Sequence, residues 1–316
     1  MIEILKTDDG ALRQLDAVEP GCWVNACVPS SQEVKWLADN LGIDGDFIDA
    51  MLDRDEISRI DKNEDASQAL VVVDYPAAED LDDKANPSLE QFDTQPISIL
   101  LIEDPSVVVT LTNAPCSIVE KLKSDRKLSI ATGKRTRFLL GVLLEVSQSY
   151  IDALRVLEKQ TMALERKMRK KQNNEGLMSM LGIEKSLLYM STSLKSSAPT
   201  LQAIKNGQFV KLFEEDEELL NDVIVEYRQA SEMCSIYTDV ITRAMDAFSG
   251  VVSNNVNASM GVLTTITLLL SIPTVVFSFY GMNTNLLPMS DSWVFPMLLS
   301  VALAAVAVVV LLRWRR

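Results

Sequence analysis

The chain has 316 residues, 47% of them hydrophobic, with 44 acidic and 30 basic side chains, no histidine and a formal charge of −14. The tail Arg313-Trp314-Arg315-Arg316 contributes +3 and Asp291 −1, which leaves −16 on residues 1–246; such a field disfavours nucleic acid as a partner and concentrates cations. Without histidine, a CxxC spacing, a P-loop or a nucleophile elbow, soft-metal sites are disfavoured, any metal would mostly meet oxygen, and no catalytic constellation is present.

In chain order, Met1-Ile2-Glu3-Ile4-Leu5-Lys6 lacks the basic and apolar regions of a signal peptide, so residues 1–133 are expected to remain cytoplasmic. Within them Ile2 to Leu5, Trp23 to Val28, Leu70 to Tyr75, Ile97 to Ile102 and Val107 to Thr112 are predicted strands, rich in Val and Ile and bounded by turn residues. Ser31 to Leu41 and Asp46 to Asp53 are predicted helices, with Ser30 or Ser31 as N-cap and Gly42 as stop. The result is a mixed α/β domain. Its stretch Ala77 to Pro87 reads as an exposed acidic loop without EF-hand spacing, and Cys22, Cys27, Cys116 and Cys234 are expected to be reduced and buried.

Residues 134–207 carry apolar side chains at helical spacing, among them Leu140, Leu143, Leu144, Ile151, Leu154 and Leu157, and turn back at Gln172 to Gly176. That predicts a helical hairpin. Its basic tip, Arg166, Lys167, Arg169, Lys170 and Lys171, is either solvated or laid on anionic lipid. A stalk helix over 208–258 then runs without proline into a first transmembrane helix, 259–280, a rod of ~110 Å if unbroken. From Ala247 to Ser290 no residue is charged; Met260 to Phe279 and Trp293 to Leu312 are long enough to cross a hydrocarbon core of ~30 Å. The loop 281–292 holds no Lys or Arg, the second span is 293–312, and the basic tail 313–316 belongs inside, so both termini are expected to be cytoplasmic. The fold class is an α+β membrane protein: an α/β cytoplasmic domain, a helical hairpin, and a long stalk helix continuous with the first of two C-terminal spans.

Within the first span Thr264, Thr267, Ser271, Thr274 and Ser278 recur at steps of 3, 4, 3 and 4, which places their hydroxyls on one helix face. Small hydroxyl residues at such positions serve close packing or bond back to the i−4 carbonyl; alternatively they line a pore. The pore reading gains from continuity, because the face extends outward to Gly281 and Asn283 and inward through Met260 and Asn257 to Asp246. One helix encloses nothing, so this reading predicts a cyclic homo-oligomer. Pro273 frees the Leu269 carbonyl and marks a candidate hinge. The second span has no polar stripe and suits a lipid-facing ring.

The run Tyr280-Gly281-Met282-Asn283 after the penultimate span, then a short loop, a last span and a basic tail, resembles the CorA family of magnesium transporters, the two-span GxN group. The order of parts fits over the whole length. The resemblance implies a homopentameric channel of the cell inner membrane that passes Mg²⁺, and also Co²⁺ and Ni²⁺, with no organic cofactor. It places the selectivity filter at Gly281, Met282 and Asn283, and pore-lining positions at Thr274, Ser271, Leu263, Met260, Asn257 and Asp246. It further implies gating by cytoplasmic Mg²⁺ held between subunits, with Asp222 on the stalk and the helix bearing Asp46, Asp49 and Asp53 as the neighbour's donor.

Departures from the family pattern are Ala50 where a carboxylate is frequent, Ser271 in place of a bulky Met, Pro273 one residue late, and an outer loop whose one charge is Asp291. Along the stalk Glu214 to Glu218 cannot all face one site, but Glu215, Asp222 and Glu226 lie near one face, where rings of carboxylates would need an intervening cation. Two other readings stay open: a zinc or other divalent transporter of the same fold, and a membrane-anchored sensor or scaffold. The latter has no need of a hydroxyl face ending in Asn283.

Overall fold

The computed structural model describes residues 1–8, 10–79, 90–124, 131–170, 174–207, 209–282 and 293–314. They form two compact units, Met1–Met245 and Asp246–Arg316.

In the first unit seven strands make one sheet: β1 (Ile2–Asp8), β2 (Ala11–Leu15), β3 (Trp23–Cys27), β4 (Arg59–Asn63), β5 (Gln68–Ala78), β6 (Phe92–Ile102) and β7 (Val107–Thr112), in the order β2-β1-β3-β7-β6-β5-β4. Only β3 and β7 pair in parallel; β5 and β6 share an eleven-residue antiparallel register from Gln68↔Ile102 to Ala78↔Phe92. Every residue of β7 and the stretch Gln68–Val73 of β5 are buried, as expected for strands covered on both faces. One cover is α1 (Ser31–Leu41) with α2 (Gly45–Leu52), whose Leu37, Leu41, Phe47 and Met51 pack on Val24, Leu70, Val72, Leu100 and Val109. The other includes α4 (Arg135–Lys170) and α5 (Asn174–Lys205), which contact β5 and β6.

Local signals explain the boundaries. Ser30 caps α1 in a reciprocal capping box with Glu33, and Gly42, in the left-handed conformation at φ 57°, ends it. The five strands predicted from the sequence lie within or overlap β1, β3, β5, β6 and β7, but β2, β4 and α3 (Ser117–Ser124) had no sequence prediction. Both missed strands are the edges of the sheet, and edge strands carry the polar residues, here Arg13, Gln14, Arg59, Asp61 and Lys62, that erase an apolar signal. Most of Ala77 to Pro87, and Lys171 with the turn up to Asn173, lie outside the described residues.

The helix α6 (Glu214–Tyr280) begins in the first unit. There Leu220, Val223, Tyr227, Ala230, Cys234 and Ile241 are buried at a 3-4 spacing, the seam of a helix packed on neighbouring helices. Cys234 Sγ donates to the Leu187 carbonyl of α5 at 3.2 Å, and the rings of Tyr227 and Tyr150 of α4 stand 6.5 Å apart. The four cysteines are free; three are buried, whereas Cys27 is only partly so. In the second unit, α6 from Asp246 onward is joined by α7 (Val294–Trp314).

Candidate functional site

Among the described residues two helices are long and apolar enough to cross a membrane: α6, whose most apolar window has mean hydropathy 2.0, and Val294–Leu311 of α7, at 2.8. A core helix of a soluble protein would have such a window mostly buried. Here the windows are 6% and 11% buried, with Leu263, Leu270, Val275, Val301 and Val306 each at least 60% exposed. Apolar surface of that extent calls for lipid or for other copies of the chain.

The two helices meet along one face of each. Within residues 259–280 of α6 the least exposed side chains are Thr265, Leu269, Ile272, Pro273, Val276 and Tyr280; on α7 they are Phe295, Pro296, Leu299, Ser300, Ala304 and Ala307. Val276 and Ser300 are buried, and the rings of Tyr280 and Phe295 lie 6.1 Å apart. Thr264, Thr267, Ser271, Thr274 and Ser278 are all exposed, and their mean direction is about 170° around the helix from the α7-facing residues, at ~100° per residue. Asp246, Asn257, Met260 and Leu263 are exposed too and continue the same face. The chain's own second span leaves this polar face uncovered.

The hydroxyls are oriented. Thr264 donates to the Met260 carbonyl at 2.8 Å, Thr267 to Leu263 at 2.9 Å, Ser271 to Leu268 at 2.8 Å and Thr274 to Leu270 at 2.9 Å. Each proton is spent on the helix itself, and the oxygen's remaining lone pairs are acceptors. Thr265, on the α7 side, makes the same bond to the Gly261 carbonyl at 2.8 Å. The back-bond therefore belongs to any such residue in a helix; the face is what distinguishes the five.

At the outer end, Gly281 N–H closes on the Phe277 carbonyl at 2.8 Å and Met282 N–H on Phe279 at 3.4 Å. A Cβ at 281 would stand 3.1 Å from the Phe277 oxygen, so the tight helix end favours glycine. Met282 is exposed. Asn283 and Asp291 lie outside the described residues.

The carboxylates assigned to gating sit in the first unit. Asp46 is in the first turn of α2, its N–H held by the N-cap Asp44; Asp53 ends the helix by donating to the Asp49 carbonyl, and its own carboxylate accepts from Asp55 N–H at 2.9 Å. Asp46, Asp49, Asp53 and Asp222 are all exposed. Ala50 points into the core at 6% exposure, so a carboxylate there would be buried rather than presented beside Asp49. Among the described residues no three of His, Cys, Asp and Glu converge on a metal position.

The carboxylates at the start of the stalk differ in their surroundings. Glu215 is drawn to Lys134 Nζ at 2.8 Å, and this hydrogen bond holds its carboxyl below the usual range; its partner is the residue just before α4, through a pair that is exposed on both sides. Its neighbour Asp216 is buried, 3.6 Å from Arg137 Nη1. Asp216 lies four residues before Leu220, on the buried seam of α6, and that spacing was the available signal.

A second polar group had none. Asp74 of β5 accepts from Ser193 Oγ of α5 at 2.7 Å, Tyr150 of α4 donates to the Asp74 carbonyl at 3.1 Å, and burial pushes the Asp74 carboxyl up. Burial likewise raises the Cys234 thiol to about 11, which makes it inert.

The CorA-like Mg²⁺ transporter family matches residues 19–316. The cobalt/magnesium transport protein CorA of Methanocaldococcus jannaschii is 26% identical over 271 residues, covering 85% of this chain and 82% of that one. The complete structure of the CorA magnesium transporter from the same organism superposes with a TM-score of 0.79 at 22% identity, over 100% of this chain and 98% of that one. The structure of the full-length CmaX protein gives 0.71 at 16% identity, over 100% and 97%. With almost its whole length matched, the chain belongs to the CorA-like Mg²⁺ transporter family, whose members are ion transporters and not enzymes.

Proposed function

We propose that this chain forms a homopentameric channel in the cell inner membrane, both termini cytoplasmic, that conducts Mg²⁺ and also Co²⁺ and Ni²⁺ and closes when cytoplasmic Mg²⁺ is high. The observation that carries this reading is the exposed hydroxyl face of α6, turned about 170° from the face that packs on α7. Copies brought together on that face would line a common axis with Thr264, Thr267, Ser271, Thr274 and Ser278, while α7 would form the outer ring. The same reading assigns 259–280 and 293–312 to the bilayer, 281–292 to the outside, and 1–133, 134–207, 208–258 and 313–316 to the cytoplasmic side.

The chemistry fits a cation that keeps its water. Mg²⁺ dehydrates reluctantly, and its first-shell waters point their protons outward, so they need acceptors from the wall. Hydroxyls whose protons are bonded to Met260, Leu263, Leu268 and Leu270 offer acceptors. A ring of Asn283 amide oxygens at the outer mouth would begin the same series, with Gly281 and Met282 shaping it, Asp291 attracting ions outside, and Asp246 ending it inside. Contacts to water instead of the bare ion stay weak enough for release. For closure, Asp222 of one subunit and Asp46, Asp49 or Asp53 of the next would share a regulatory Mg²⁺, whose loss leaves like charges to repel. A wall of oxygen without histidine or thiolate favours Mg²⁺ over Zn²⁺.

The test is uptake into proteoliposomes loaded with Mg²⁺ or Zn²⁺ indicators, comparing the native chain with Asn283→Ala. Saturable Mg²⁺ entry that the variant alters is expected. No Mg²⁺ flux in either would overturn the proposal.

A further inference from the structure

A cavity of about 400 Å³ opens in the first unit where three chain ends meet: the turn entering α4, the loop leading into α6, and the β4–β5 and β6 ends of the sheet. Its size falls in the range of small-molecule sites, ~300–1,000 Å³. Five cationic side chains line it, Lys62, Lys134, Arg135, Arg137 and Lys211, against Glu103, Glu215 and Asp216. That balance is opposite in sign to a chain region carrying −16 overall.

Some of this charge is already committed: Lys134 to Glu215 at 2.8 Å, Arg135 to the Ile102 carbonyl, and Lys62 loosely to the exposed Glu64 at 3.8 Å. Lys211 is not held by a carboxylate; its ammonium rests 5.4 Å from the centre of the Phe213 ring, itself 48% exposed. Phe209 is the second aromatic on the wall. The deepest polar group is Asp216, 2% exposed, whose Oδ1 has no hydrogen-bond partner among the described residues. Arg137 Nη1, 3.6 Å away, forms an ion pair with this oxygen but stands beyond hydrogen-bond reach, its N–H going to the Glu215 carbonyl at 3.4 Å. A buried carboxylate oxygen without a donor is costly, and native structures seldom leave one so.

Three demands follow for an occupant. It must bring an N–H or O–H to Asp216 Oδ1, an anionic group to the Lys211 and Lys62 side, and a flat apolar surface to Phe213 and Phe209. A fully deprotonated simple anion such as chloride or sulfate fails the first, having no N–H or O–H to give to Asp216. We infer that this cavity is a nucleotide site, with ribose hydroxyl or base amine on Asp216, phosphate on the lysines and the base on the phenylalanines. The ligand would sit on the first turn of α6, the helix proposed to line the pore further along, which gives it a place from which to regulate.

The experiment is calorimetric titration of the full-length protein in detergent with ADP, adenosine and inorganic phosphate separately, in Mg²⁺-free buffer containing chelator, so that no metal site mediates the contact. ADP is expected to bind with a Kd between about 1 μM and 1 mM, with adenosine and phosphate each at least about ten-fold weaker. Phe213→Ala should weaken ADP about ten-fold, and Lys211→Ala about five-fold. Both residues are exposed, so neither change threatens the fold. Absence of saturable ADP binding, binding indifferent to both substitutions, or phosphate binding as tight as ADP would each overturn the assignment. None of these outcomes bears on whether the chain conducts Mg²⁺.

Discussion

Thr267 and Thr265 form a matched pair that separates a conducting face from a merely helical one. Both hydroxyls donate to their own helix, to Leu263 at 2.9 Å and to Gly261 at 2.8 Å, yet Thr267 is exposed on the stripe and Thr265 is part-covered on the α7 side. Valine keeps the shape and removes the oxygen. In a pentamer Thr267→Val removes five acceptors at one level, and a hydrated ion passing there would lose contact with about two at a time. At ~0.5–1.5 kcal/mol net per hydrogen bond, the barrier rises by ~1–3 kcal/mol, a flux lower by about 5- to 150-fold. Thr265→Val, losing the same back-bond, should change flux less than about two-fold. The assay is initial Mg²⁺ uptake into proteoliposomes at equal protein loading, with pentamer content checked for each variant. Equal effects of the two substitutions would refute the pore-facing assignment and leave the stripe as ordinary helix chemistry.

Asp222→Ala should leave the channel open at internal Mg²⁺ concentrations that close the native protein, measured as uptake against preloaded Mg²⁺; unaltered inhibition would remove Asp222 from the gate. The Asp74 carboxyl is raised, first by burial and against the hydrogen bond from Ser193, so the folded state holds its proton more tightly than the unfolded chain. Its contribution to stability is therefore fully present below the unfolded value, ~3.9, and is lost as pH rises through the higher folded value. Asp74→Asn should accordingly show its greatest relative stability above that window, the difference shrinking as pH falls toward 4; a difference independent of pH in thermal melts would contradict this.

How far the fold could be read from sequence depended on what surrounds each segment. The strands β3, β5, β6 and β7 announced themselves because each contains a mostly buried, mostly apolar stretch, such as Leu70 to Val73 and Ile97 to Ile102. The edges β2 and β4 did not, since one flank of each is unpaired and Arg13 or Lys62 is as suitable there as valine. The hydroxyl stripe was legible because it is periodic within one helix. Asp74 was not, because its partners Ser193 and Tyr150 come from elements 119 and 76 residues away. In the Glu214–Glu218 run, helix geometry alone said that the five carboxylates cannot share one site; that Asp216 turns inward on the Leu220 seam and Glu215 meets Lys134 is decided by tertiary packing.

The orientation of the hydroxyls bears on the sign of the charge that could pass. A hydrated anion turns its waters' oxygens outward and needs donors from a pore wall, whereas a hydrated cation turns protons outward and needs acceptors. Along α6 the protons of Thr264, Thr267, Ser271 and Thr274 are all given to helix carbonyls, so on the proposed axis the face they present is one of acceptors. Adding Asp246 at the inner end extends the same preference by charge. Cation selectivity in this reading needs no stripped ion and no dedicated cage, and the same satisfied protons let a lone copy sit in lipid at little cost before it meets its partners.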